Sequence, residues 1–406
     1  MQTSTKVRHL KTGNIPIATV LAYVLIPLSG LATDIYLPSM PHMATGLQVS
    51  EQSVQLTLSL FLISYGLSQC IVGSLLDTFG RYRLSLVSLL LFSISCYLIA
   101  ITNNINLILA MRVVQGITVG FILVAKRALF VDVYSGDKQK KYVSIITIVW
   151  GVAPIVAPYI GGYLEGLFNW RANFYFLGIF GTLLFLLELL FSGETLQRRS
   201  EPRFATVLNA YRMMLGQRSF TWGLLMLGIS YGTVMLYGLS GTFILEHKLG
   251  YSAIAAGYIS LLLGSAWMAG GFLGKFLIGR PLLRKTAWAT AIQLAAAGLL
   301  IASAAMGPNI YVLILLAYIL HMAAGFTFTN YFARSITMFP QNAAMAGGIT
   351  GGGAYIVTST LSYGVTYLIR AENQAQLGYS YLVLVVLGII VLATFPGIRK
   401  SNPVKQ

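Results

Sequence analysis

Charge is scarce in this chain. Only 9% of its 406 residues are Asp, Glu, Lys or Arg, where a water-soluble domain carries roughly a quarter, so a soluble globular fold is excluded. Disorder is excluded as well, because disordered chains are rich in charge and poor in apolar residues. Acidic residues are the scarcest, 11 against 27 Lys and Arg. Cysteine is nearly absent. Cys70 and Cys96 fall in the second and third apolar spans, roughly 13 Å apart in depth at 1.5 Å per residue, too far for a disulfide. There is no HExxH, no phosphate-cradling GxxxxGK[ST] and no paired CxxC. The expectation is a protein that is not an enzyme and carries no metal and no cofactor.

What is present is apolar sequence, 56% of the chain, at a mean hydropathy of +0.75. Twelve spans of about 22 residues use about 264 residues, near two thirds of the length, which matches that hydropathy. The apolar segments lie near 15–38, 52–76, 83–102, 106–133, 141–164, 173–192, 220–245, 252–279, 285–306, 309–336, 343–369 and 378–396. This predicts an all-α membrane protein with twelve transmembrane helices. The basic stretch through Lys11 ahead of the first span resembles a signal peptide, but no small-residue cleavage site precedes Asp34, so the expectation is an uncleaved first helix.

The excess of 16 positive charges looks at first like a nucleic-acid binder. Its placement says otherwise. With the N-terminus inside, only Arg171, Lys248 and Arg370 fall on the outer side, Arg112 falls within a helix, and every other Lys and Arg lies inside. That bias puts both termini in the cytoplasm, with no nucleic acid as partner. The cluster from Arg198 to Arg218 also suits anionic lipid head groups. The same stretch interrupts the apolar pattern and divides the chain into 1–192, a cytoplasmic linker at 193–219, and 220–406. Two six-helix halves suggest a parallel repeat with a substrate site between them at mid-membrane. A shift that lays Ala110 on Ala317 also lays Phe121 on Phe328 and Arg127 on Arg334.

Asp34 is the one acidic residue expected well inside an apolar span, about eight residues or roughly 12 Å outward of the helix centre. Arg112 lies at similar depth on the fourth span. Ionisable groups there are costly unless they face a cavity or a partner, so an Asp34 and Arg112 pair, direct or through water, is the candidate coupling site; a static packing pair is the alternative. Tyr23, Pro27 and Gly30 share the Asp34 face of the first helix, where Tyr23 either lines a cavity or simply packs. Lys126 and Arg127 either snorkel to the inner interface or turn inward toward an acidic substrate. His321, near the middle of the tenth span, either titrates or packs.

Three motifs now carry a resemblance. Gly73-Ser-Leu75-Leu-Asp77-Thr-Phe-Gly80-Arg81 resembles the major facilitator loop pattern between the second and third helices. Arg112-Val-Val-Gln115-Gly116 resembles its fourth-helix motif. Gly151-Val-Ala-Pro154-Ile-Val-Ala-Pro158-Tyr-Ile-Gly161-Gly162 is similar to the fifth-helix pattern associated with antiporters. Asp34-Ile-Tyr36-Leu37-Pro38-Ser-Met-Pro41 is similar to a segment of the bicyclomycin-resistance drug-efflux subfamily. The resemblance implies the two-bundle major facilitator fold and proton-coupled export of small molecules by a monomer. It implies Asp34 as proton and substrate carboxylate with Arg112 as partner; the residues expected around the cavity are Tyr23, Tyr36, Gln115, Lys126, Arg127 and His321. Gly73, Asp77, Gly80 and Arg81 would form an inner latch, and the Gly/Pro residues would shape the fifth helix. Thr78 stands where the loop pattern usually has Arg, and Val131 where the subfamily often has one. A drug exporter is the first expectation. A dedicated siderophore or metabolite exporter and a nutrient importer or facilitator are the alternatives, and a membrane sensor lacks any sizeable soluble domain.

Overall fold

The computed structural model describes residues 8–197 and 204–394. Thirteen long helical segments account for most of them. The first six are α1 (Thr12–Leu47), α2 (Glu51–Phe79), α3 (Arg81–Ile101), α4 (Ile105–Val133), α5 (Gly136–Leu167) and α6 (Arg171–Phe191). A short helix, α7 (Phe204–Gly216), precedes six more: α8 (Arg218–Lys248), α9 (Ala253–Phe276), α10 (Leu282–Met306), α11 (Ile310–Thr337), α12 (Ala343–Ile369) and α13 (Gln374–Ala393). The side on which α7 lies is called inner below. Arg198, Arg199 and Arg203 of the basic cluster, and Lys6, Arg399, Lys400 and Lys405 of the charge count, lie outside the described residues.

Eleven of these helices are long and apolar enough to cross a membrane. The remaining long one, α12, is 27 residues, about 40 Å at 1.5 Å per residue, long enough to span but less apolar than the eleven. Its Gly, Ser, Thr and Tyr content lowers its hydropathy because it lies between α2 and α8, where small residues let helices approach closely.

The packing follows the repeat. In the first half α2 packs on α4, α3 on α4, and α3 on α6; seven labels on, α9 packs on α11, α10 on α11, and α10 on α13. The two main contacts between halves, α2 with α12 and α5 with α9, exchange under the same shift. Two large apolar cores result, one built on α1–α6 with Met235, Leu239 and Phe243 of α8, the other on α8–α13.

Local chemistry shapes α1 and α5. Pro27 interrupts α1, whose regular turns run over Ile15–Leu25 and Leu28–Asp34, because a proline lacks the N–H that the ladder needs. Pro38 and Pro41 then hold the chain in short turns beyond Asp34. In α5, Pro154 and Pro158 sit inside an unbroken helix. A Cβ on Gly161 would fall on the Ile35 carbonyl oxygen and one on Gly162 within 2.5 Å of the Ala253 carbonyl, so only glycine lets α5 lie this close to both α1 and α9.

The halves are fastened together on the outer side. His42 reaches Glu165 and Glu246, His247 reaches Glu51, and Gln55 Nε2 donates to the Leu239 carbonyl at 2.7 Å. Here α8 widens into two π-helical stretches, Tyr237–Gly241 and Ile244–Lys248, a form that recurs at functional sites.

Candidate functional site

Arg112 is wholly buried, and its guanidinium makes four hydrogen bonds within the protein. Nη1 donates to the Ala32 carbonyl at 3.0 Å and to Gln115 Oε1 at 2.7 Å, Nη2 to Tyr36 Oη at 3.3 Å, and Nε to the Thr57 carbonyl at 3.4 Å. Its two faces are covered by the rings of Tyr36 and Phe61, at 4.6 and 4.3 Å, where a desolvated cation is attracted to the π-face. Gln115 passes the network to Cys96 Sγ, and Tyr36 pairs with Thr57 at 2.9 Å. Tyr36 and Gln115 are therefore parts of the Arg112 cradle and do not line open space.

That cradle grips α1 on both sides of Asp34, through the backbone of residue 32 and the side chain of residue 36. Asp34 is itself buried, and its Oδ2 has no hydrogen-bond partner among the described residues. The two groups form no direct ion pair; Arg112 acts on Asp34 through space. A buried carboxylate oxygen left without a donor is costly and keeps the group available to a proton or a cationic ligand.

Asp34 acts electrostatically on two rings of the other half, Tyr231 of α8 and Tyr355 of α12. Tyr65 of α2 meets Tyr355 at 4.8 Å between centroids. The series continues through Tyr231 at 5.6 Å, then Trp267 at 5.7 Å and Phe328 at 5.1 Å. All but Tyr65 are half-buried. Arg127 is also half-buried and acts on Tyr65 and Tyr355. These aromatics were missed in the sequence. Their signal was present, as Ser-Tyr-Gly at residues 64–66 and again at 230–232 near two helix centres.

Other expected site residues fall elsewhere. Tyr23 donates to the Tyr142 carbonyl at 2.8 Å and packs on Phe130 at 4.7 Å, a packing role. Lys126 neither snorkels nor faces open space. It is buried against Glu188 of α6, with Nζ to Oε2 at 2.5 Å. Counting placed Glu188 near a helix end, which hid this partner. His321 is buried, with Nδ1 2.8 Å from the Ala317 carbonyl and its ring beside Tyr237 at 6.0 Å. Gly228-Ile-Ser230-Tyr-Gly232 has the spacing of a hydrolase nucleophile turn, but it lies mid-helix and Ser230 Oγ donates to the Met226 carbonyl at 2.7 Å.

The loop motif works within one half. Arg81 pairs with Asp77 at 2.9 Å and with Asp132 of α4, while the Glu194 carboxylate accepts the backbone N–H groups of Arg81 and Tyr82 at 3.2 and 3.3 Å. Anions at a helix N-terminus are favoured by the partial positive charge there. Gly80 turns the chain between α2 and α3 at φ 100°, a value that favours glycine. Gly73 and Gly151 have open space where a Cβ would stand, whereas the Pro154 ring lies against Gly30, and Pro158 lends its carbonyl to the Gly257 contact on α9.

Comparison with known proteins agrees with this architecture. Residues 22–362 match the model of the Major Facilitator Superfamily. The chain is 28% identical to multidrug resistance protein D of Escherichia coli (strain K12), over 91% of this chain and 92% of that one. It is 30% identical to the bicyclomycin resistance protein homologue of Haemophilus influenzae, over 54% and 58%. A solved bacterial homologue of the human lysosomal transporter Spinster superposes with a TM-score of 0.74 at 16% identity, over 95% of this chain and 97% of that one. With twelve helices long enough to span, the two-half repeat and a family match over most of its length, this chain is a multi-pass membrane protein and belongs to the Major Facilitator Superfamily of transporters, not to any class of enzyme.

Proposed function

We propose that the protein is a proton-coupled antiporter that exports amphipathic small molecules, foreign drugs first among them, across a bacterial inner membrane. The observation that carries this reading is the buried Asp34 carboxylate with an unpartnered oxygen, fixed by the Arg112 cradle and acting electrostatically on two aromatic rings of the other half. The names of the relatives from E. coli and H. influenzae favour drugs as cargo.

The physical cycle follows from competition. Cargo taken from the cytoplasm stacks on Tyr231, Trp267, Phe328 and Tyr355, and a cationic group on it pairs with ionised Asp34. After the halves rock about the linker, taken as 193–219 between bodies at 1–192 and 220–406, a proton from outside neutralises Asp34 and the cargo leaves. Arg112 keeps Asp34 able to shed that proton again, since a nearby cation favours the ionised carboxylate. In one-for-one exchange with a neutral cargo, the charge moved across about 150 mV supplies roughly 3.4 kcal/mol, about 300-fold in concentration; with a monovalent cationic cargo no net charge moves, and the pH gradient alone drives export at about tenfold per pH unit. The transporter works as a monomer with both termini in the cytoplasm, and α7 with the basic linker rests on anionic lipid.

The test is proton movement in proteoliposomes under an imposed pH gradient, with cationic drugs, neutral antibiotics and siderophore-like acids added in turn. The expected result is drug-triggered proton flux in wild type and none in Asp34→Asn. Flux only with siderophore-like acids reassigns the cargo, and downhill uptake with no proton flux moves the protein to the facilitator class.

A further inference from the structure

The outer fastening contains an arrangement that the Asp34 cycle does not use. His42, at the outer end of α1, stands between two carboxylates: Nδ1 is 3.0 Å from Glu165 Oε1 of α5 and Nε2 is 3.1 Å from Glu246 Oε1 of α8. Glu165 belongs to the same half as His42, and Glu246 belongs to the other. A neutral imidazole has one N–H, and an ionised carboxylate only accepts hydrogen bonds. Both contacts are satisfied together only when the cluster holds one proton more than a neutral histidine and two carboxylates, either as imidazolium or as a protonated Glu. Glu165 and Glu246 are largely buried, and each has a second oxygen without a hydrogen-bond partner, so water does not substitute freely for that proton. The histidine side chain is 47% exposed and open to the outer solution.

We propose that His42, with Glu165 and Glu246, is a second proton-binding site, distinct from Asp34, whose occupancy holds the outer mouth shut. When the halves part on this side Glu246 withdraws, and the remaining His42 to Glu165 contact is satisfied by a neutral ring. Closing therefore takes up one proton and opening releases it to the same outer solution. Such a proton does not cross the membrane: it sets the direction in which the carrier is biased and leaves the exchange ratio unchanged. External acid favours the shut state and speeds the return step, and external alkali favours opening.

The neighbouring histidine pair needs no extra proton, because a neutral ring satisfies a single contact. His247 of α8 pairs with Glu51 of α2 at 3.1 Å, again across the halves with a histidine and a carboxylate. It also acts on Glu246, while Lys248 and Glu372 act on Glu51. Glu51, His247, Lys248, Glu372 and Arg370 line an outer cavity of about 330 Å³. These are the ionisable groups facing the site among the described residues.

The inference rests on the two-state rocking proposed above but not on the identity of the cargo. The test measures the distance between spin labels at Thr45→Cys and Tyr251→Cys, on opposite halves of the outer mouth, in a Cys70→Ser/Cys96→Ala protein reconstituted in lipid nanodiscs from pH 8 to 5. Asp34→Asn is included to silence the first proton site. The expected result is a shut-to-open ratio that rises as pH falls, by up to about tenfold per pH unit for one proton. His42→Gln added to Asp34→Asn should remove that slope, and Glu246→Gln, which changes no histidine, should weaken it. A slope that survives both changes overturns the second site alone. Distances that respond neither to pH nor to cargo in the otherwise wild-type protein overturn the site and the rocking together.

Discussion

The two halves share one helix arrangement and divide the chemistry unequally. The first half buries Asp34, Arg112, Lys126 and Glu188 within its helices. The second half carries two acidic residues, Glu246 and Glu372, both at its outer end; it offers the rings of Tyr231, Trp267, Phe328 and Tyr355, and its buried polar groups, such as Gln293 and Thr327, are neutral. A repeat fixes packing, because α2, α3 and α4 must bury the same kinds of face as α9, α10 and α11, but it does not fix charge. On the proposed function, ion handling falls to the first half and cargo contact to the second.

The comparison breaks most severely at Arg112. Arg112→Ala leaves Gln115, Tyr36 and two backbone carbonyls without their donor, and the expected loss is about 3–5 kcal/mol, read as a collapse of the detergent melting temperature. Lys126 gives a sharper version. Lys126→Met alone strands Glu188 and should cost about 3–5 kcal/mol, whereas Lys126→Met with Glu188→Leu should return most of it and leave transport intact. A double variant that is stable but does not transport would show that the pair belongs to the coupling machinery.

Gly161→Ala pushes a methyl group into the Ile35 carbonyl and should cost about 1–3 kcal/mol as overpacking, with drug efflux reduced because the displaced segment carries Asp34. The smallest effect is expected in the second half. Trp267→Ala removes one aromatic face and should raise the half-saturating cargo concentration about tenfold, the equivalent of roughly 1.4 kcal/mol, without altering drug-free proton leak. Leak that changes as strongly as affinity would erase the division between the halves.

Much of this was legible in the sequence. Hydropathy, the placement of Lys and Arg and three short motifs pointed to twelve helices in two bundles, and depth counting brought Asp34 and Arg112 to one level of the membrane. Counting could not supply direction around a helix. Lys126 and Arg127 are adjacent, yet one is buried on Glu188 and the other reaches toward Tyr65 and Tyr355, because successive residues on a helix point about 100° apart. Tyr36 and Gln115 were read as cavity residues because they stand in motifs, and the guanidinium of Arg112 claims both. Tyr231, Trp267, Phe328 and Tyr355 were passed over because aromatic residues are common in apolar spans. Their separation from lipid-facing rings such as Tyr367, which is 52% exposed, depends on packing across the halves.

The central claim is that Asp34 carries the proton while the aromatic rings of the other half hold the cargo. The most direct test compares two modes in the same proteoliposomes: exchange of labelled for unlabelled drug at equal concentration, and uphill drug movement driven by a pH gradient. The account predicts that Asp34→Asn keeps drug binding and exchange and loses uphill movement. Uphill movement retained at the wild-type level in Asp34→Asn would contradict it.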